Sequence, residues 1–174
     1  MGLSAAYGFL QTDRGYVGLS SFERKMITKV DSFTASGTFT PPAGVFYAVA
    51  YIRAGGGGSG AGSQGAGGNS SVAFAGGTIT ATGGSASGNS STQSPRSTAG
   101  AANSGKGALT ATFRNPEDGY SFIVMGVDGQ YVVSGGAVTP GTGIAVTVGA
   151  GGTAGTSGAA GGSGYVWIEY QVAL

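Results

Sequence analysis

Between Ala54 and Gly68 the chain reads AGGGGSGAGSQGAGG, with no charge and, Gln64 apart, nothing larger than serine. Gly83–Gly107 is a looser stretch of the same kind that carries Arg96 and Lys106, Gly149–Gly164 is a third without charge, and glycine supplies 38 of the 174 residues. That is about 22%, against a usual share of about 7%. Such tracts have two destinations. In water, Gly/Ser-rich chain is a flexible coil. In a folded protein, stretches of Gly, Ala, Ser and Thr let backbones approach more closely than side chains would permit. A solvated linker tolerates Lys and Glu as readily as Ser, yet the first and last tracts contain neither. Both abut strand-like sequence directly. These two are therefore expected to pack, while the middle tract remains open between linker and packed chain. Ordering glycine costs more conformational entropy than ordering any other residue, so packing requires neighbouring backbones to supply hydrogen bonds. The glycines at 55, 56, 57, 58, 60, 62, 65, 67 and 68 follow no strict every-third-residue rule, which excludes a collagen helix.

The remaining sequence reads as strands. Thr38-Phe-Thr-Pro-Pro-Ala-Gly leads into Val45–Arg53, followed by Ser71–Ala75, Thr78–Thr82 and Ala108–Phe113. Tyr120–Val127 and Gln130–Ser134 flank Asp128-Gly129, a dipeptide suited to a two-residue hairpin turn. Gly143–Val148 and Gly164–Val172 alternate, placing Tyr165 and Trp167 on the face opposite their neighbouring valines. Tyr47, Tyr51, Tyr120, Tyr131, Tyr165 and Trp167 all fall on expected strands, where about half would fill the core, and Glu169 is expected to face solvent. The fold class is all-β, an antiparallel sandwich-like domain with packed glycine-rich loops.

Charge marks a boundary. Residues 1–31 carry Arg14, Arg24, Lys25 and Lys29 against Asp13, Glu23 and Asp31, whereas Glu169 is the only charge from Ser134 onward. The division is therefore a short attachment segment, 1–32, and a glycine-rich β domain, 33–174. Within the segment, a hairpin is expected around Thr12–Gly15. Ser20-x-x-Glu23 has capping-box spacing and predicts one short helix with Phe22, Met26 and Ile27 on a common face. Thirty residues bury no core of their own. They are either a strap on the main domain or a docking arm, and in the second case Tyr7, Phe9, Phe22, Arg24 and Met26 are the candidate assembly contacts.

Histidine and cysteine are absent, which excludes disulfides, thiolate nucleophiles, histidine-assisted triads and the usual zinc sites. No cofactor or metal is expected. A net charge of +1 gives no reason to expect nucleic acid or an anionic membrane as partner. No stretch of about 18 apolar residues predicts a membrane helix, and the N-terminus lacks the basic and apolar regions of a signal peptide. Gly55-Gly-Gly-Gly-Ser-Gly and Gly105-Lys106-Gly107 lack the Lys-Ser/Thr and the following helix of a phosphate loop. Glu117-Asp118, the one adjacent acidic pair, sits in the turn-like Asn115-Pro-Glu-Asp-Gly119. With so few acids and no repetitive strands, catalysis is not expected, although two separated carboxylates are all a glycosidase needs.

Phe39-Thr-Pro-Pro-Ala-Gly-Val45, a hydrophobic strand, then Arg53-Ala-Gly-Gly-Gly-Gly58 resembles the opening of the glycine-rich domain of bacteriophage tail and fibre proteins. Ile144-Ala-Val-Thr-Val-Gly-Ala-Gly-Gly152 and Gly164-Tyr-Val-Trp-Ile-Glu-Tyr170 are similar to that family's closing strand pair. The resemblance spans residues 33–172. It implies a virion protein, made in the host cytoplasm and commonly trimeric, at a tail or fibre tip. Its partners would be other virion proteins through residues 1–32, and a host receptor: glycan, pilus or outer-membrane protein. On this analogy the middle segment, with Gln93, Pro95 and Arg96, is the candidate receptor-contact loop. The alternative within the same class is a non-adhesive head-decoration or tail-tip protein. A bacterial surface or ice-associated glycine-rich protein is a more distant third.

Overall fold

The computed structural model describes residues 9–12, 15–18, 25–60, 62–88, 96–98, 100, 103–112, 122–156 and 158–174, and among these there is no helix. The strands are β1 (Phe9–Thr12), β2 (Gly15–Gly18), β3 (Met26–Phe33), β4 (Gly37–Phe39), β5 (Tyr47–Arg53), β6 (Ser59–Gly60), β7 (Ser70–Phe74) and β8 (Gly77–Ala81). They continue with β9 (Ser87–Gly88), β10 (Arg96–Thr98), β11 (Leu109–Thr112), β12 (Phe122–Met125), β13 (Tyr131–Ala137), β14 (Ile144–Thr147) and β15 (Tyr165–Ala173). Two antiparallel four-stranded sheets, ordered β13-β5-β15-β3 and β4-β14-β7-β8, face each other as a sandwich. The all-β expectation holds.

Alternation decides what fills the core. Ala48, Ala50 and Ile52 of β5 and Val166, Ile168 and Tyr170 of β15 point inward, against Val72 and Phe74 of β7, Val146 of β14 and Phe39 of β4. Phe39 and Tyr170 stack with ring centroids 5.3 Å apart. The Phe74 ring lies where a Cβ on Gly136 would stand, so that glycine admits the ring against the backbone of β13.

Three expectations are corrected. Met26 and Ile27 are not helical. They begin β3, which pairs along its full length with β15, from Met26↔Ala173 to Phe33↔Val166, while Ser20–Arg24 lie outside the described residues. Eight residues of sheet pairing outweigh a local capping signal. The same strand crosses the expected boundary at 32/33, so residues 26–32 belong to the β domain's sheet. The Asp128-Gly129 hairpin does not form either. β12 pairs with β11 and β13 with β5, and neither Asp128 nor Gly129 has positive φ. The N-terminal pairing does form, with Phe9↔Gly18 through Thr12↔Gly15.

Ser70 joins the sandwich to the glycine tracts. Its fully buried hydroxyl donates to the Arg53 carbonyl at 2.8 Å and accepts from the Gly149 N–H at 2.9 Å. Ser70→Ala strands both backbone groups and is expected to lower unfolding stability by about 2 kcal/mol, measured by urea denaturation.

Candidate recognition site: the glycine lattice and the surfaces it presents

Residues 54–59 leave β5 and run straight, each donating its N–H to a different neighbour from the one before. Gly55 and Gly58 donate to Gly68 and Gly65, Gly56 and Ser59 to Gly162 and Ala159, and Ala54 and Gly57 to Gln130 and Val127, all at 2.9–3.0 Å. The partner recurs every third residue. That is the symmetry of a threefold extended helix of the polyproline II type, not of a pleated strand with its period of two. The carbonyls obey the same rule: Gly55 and Gly58 accept from Gly84 and Ser87, Gly56 and Ser59 from Gly152 and Gly155, and Gly57 from Ala108.

The central segment therefore has neighbours on six sides: 65–68, 82–87, 126–130, 105–108, 158–164 and 149–155. These neighbours also bond to one another in a closed ring. Gly67 donates to Gly84, Val127 to Ser85, Gly126 to Ala108, Gly162 to Lys106, Gly161 to Gly152 and Gly65 to Thr153. Pairing order gives the directions: 65–68, 126–130 and 158–164 run against the central segment, while the other three run with it, so direction alternates around the ring. The expected packed loops are thus the rods of a hexagonal backbone lattice, and 82–87 and 105–108 from the middle tract belong to it.

Only glycine fits much of this lattice. A Cβ built on Gly55, Gly56, Gly57 or Gly58 would fall inside the carbonyls of Ala150, Lys106, Ser85 and Thr153 respectively. The hydrogens there point at carbonyl oxygens of adjacent rods, an arrangement in which Cα–H···O contacts add to the N–H bonds. Gly129 donates to the Gly105 carbonyl and Gln130 to that of Thr82, which is why the Asp-Gly pair is held straight instead of turning.

One ionic cluster braces the outside. The Asp128 carboxylate accepts from Lys106 Nζ at 2.7 Å, Arg53 Nη2 at 3.1 Å and the Gly107 N–H at 2.8 Å. The Lys106 hydrogen bond, helped by the Gly107 amide and by both cations, holds the Asp128 carboxyl below its ordinary 3.8 despite opposing desolvation. Nothing local in the sequence joins these three residues.

The lattice has two ends. At the near end β5, β8 and β14 feed rods, while β7, β13 and β15 receive them. At the far end lie the links from 59 to 65, from 155 to 158 and from 108 to 126, together with the exit from 87. The link from 108 to 126 carries β11 and β12, and β10 adds to β11 with Arg96↔Ala111. Arg96 thus heads a strand of this terminal sheet, while Gln93 and Pro95 lie outside the described residues, as do Tyr7, Phe22, Arg24, Glu117, Asp118 and Tyr120. Phe9 sits in β1, and Met26, 48% exposed, starts β3.

A second surface was only half legible. Register places Tyr165↔Arg53↔Tyr131 in one cross-strand row of the outer sheet face and Ser32↔Trp167↔Tyr51↔Val133 in the next. Val30↔Glu169↔Val49 follows. Tyr47, Tyr51, Tyr131, Tyr165 and Trp167 therefore all stand on one outward face, not half of them in the core. Tyr165 and Trp167 lie 4.9 Å apart at 31°. Glu169 is half-buried among them rather than free in solvent, with the Tyr51 hydroxyl donating to it at 3.5 Å. Shared parity along β5 and β15 signals this face, but the alignment with β13 does not show in the sequence.

No protein-family model, no curated protein and no solved structure matches this chain.

Gly57→Ala should cost more than about 3 kcal/mol or prevent folding, because the new methyl meets backbone on a neighbouring rod. Gly76→Ala, with open space at its Cβ, should be neutral or stabilising by up to about 1 kcal/mol; thermal unfolding of both variants checks the contrast. Since the Asp128 pKa is depressed on folding, its contribution is complete above the ordinary value of 3.8 and is lost as pH falls through the folded value. Wild type should therefore lose more stability than Asp128→Asn when denaturation is compared at pH 6 and at pH values below about 4.

Proposed function

We propose that this chain is a bacteriophage virion protein, a tail-fibre tip or receptor-binding module in which the glycine lattice is a rigid spacer between an attachment end and a recognition end. One observation carries the reading: the sandwich lies at one end of the lattice, while the chain leaves the other end after 87 and again after 108, where β11 and β12 stand. Framework and variable surface are thereby separated, since loops on a stiff support can change without disturbing the core. The sequence resemblance over residues 33–172 supports the same assignment. Residues 1–25, preceding β3, serve attachment to other virion proteins. Trimeric assembly, part of the same proposal, multiplies weak single-site contacts into avidity. The module acts by binding, not catalysis.

The alternative virion role, a non-adhesive decoration or tail-tip subunit, is favoured by the exposed apolar face carrying Trp167, Tyr131 and Val133, which has the character of a subunit contact.

Purified chain added to host cells should block adsorption of the phage that encodes it. Replacing residues 89–95, which precede β10, with a Gly/Ser linker should abolish the block while thermal unfolding stays unchanged. If the intact chain adheres to particles but never competes for cells, the decoration role replaces the adhesin.

A further inference from the structure

Glu169 stands between two adjoining grooves on the exposed face of β13-β5-β15-β3. The first, of about 320 Å³, is lined by Val30, Tyr51, Tyr131, Trp167 and Glu169. The second, of about 340 Å³, shares Glu169 and passes Val49 toward Tyr47, Phe46 and Gln171. Together they make a channel walled by aromatic rings with one carboxylate at its centre. We infer that this channel binds a neutral oligosaccharide, with consecutive sugar rings in the two grooves.

The chemistry selects that occupant. A pyranose ring has an apolar C–H face and a rim of hydroxyl donors. Trp167 and the tyrosines offer aromatic faces for the first, Glu169 accepts from the second, and the Tyr51 phenol fixes the carboxylate between the grooves. A second copy of the same face fits poorly. Among the described residues Glu169 forms no ion pair, and Arg53, the cation that β5 presents on this face, is committed to Asp128. Face-to-face self-association would thus bury Glu169 against an outward face whose described residues place no unpaired cation opposite it, at a steep desolvation cost. An acidic glycan is repelled by the same carboxylate. Polyhydroxylated neutral chain satisfies it without a counter-charge.

The inference rests on the adhesin reading only in taking the glycan to come from a host surface. The test uses the full chain and its single tryptophan, Trp167. Maltohexaose, cellohexaose and chitohexaose are titrated while Trp167 emission and its quenching by acrylamide are followed. At least one should give a saturable emission shift with protection from quencher. Glu169→Gln should weaken that binding about tenfold, reflecting loss of a charge-assisted hydrogen bond, and Trp167→Ala should abolish it by calorimetry with unfolding unchanged. Silence of Trp167 toward all three sugars overturns the inference. So does a shift produced instead by oligolysine or by raising protein concentration, which would make the occupant a cationic partner or a second copy. Competition with phage adsorption separates the two failures. If the sugars are silent but adsorption is blocked, recognition lies at the far end of the lattice and the adhesin reading survives; if adsorption is not blocked either, both fall.

Discussion

Everything in this molecule depends on backbones touching without side chains between them. In residues 55–59 every N–H and every C=O is paired, and the pairs are shared among six rods. A single such bond contributes about 0.5–1.5 kcal/mol net, comparable to the extra entropy lost on ordering glycine. No rod is therefore stable alone. The stability is collective: a rod removed would leave buried donors and acceptors on several others, each unsatisfied group costing about 1–3 kcal/mol. The sandwich is what makes the collective state reachable, because six of its strands lead into or out of rods and hold the ends in register.

How much of this could be read from the sequence follows from which groups carry the information. The strands announced themselves by alternation and by β-branched and aromatic residues, and the packing of the glycine tracts was signalled by the absence of charge. Which rods meet was not legible, since the recognition is between main chains and main chains are alike. Local signals also lost to distant ones. Asp128-Gly129 has the chemistry of a turn, but the Gly129 N–H serves Gly105 and that of the following Gln130 serves Thr82 across the lattice. Ser20-x-x-Glu23 suggested a helix running through Met26, yet that residue is committed to Ala173. The aromatic residues were visible one by one, but their gathering on one face required the register of three strands.

The two exposed regions differ in how they are built. The far end is made of connections, so its shape is set by loop sequence over a fixed base. The aromatic face is made of strand residues whose partners inside the same strands form the core: Trp167 alternates with Val166 and Ile168, and Tyr51 with Ala50 and Ile52. Its geometry is therefore as rigid as the hydrophobic interior beneath it. Tyr170, whose hydroxyl lies 3.4 Å from Asp31, ties edge strand β3 to this arrangement. Burial, and then the nearby carboxylate, push its phenol above the ordinary 10.0.

The alternation of chain direction around the lattice has a mechanical meaning. Its hydrogen bonds lie crosswise to the rods, and neighbouring rods enter and leave from opposite ends. A pull on the far end along the rod axis therefore loads the crosslinks in shear, many at once, instead of peeling them apart in sequence. A tether made this way resists tension through the number of its bonds, with neither a disulfide nor a large hydrophobic interior along its length.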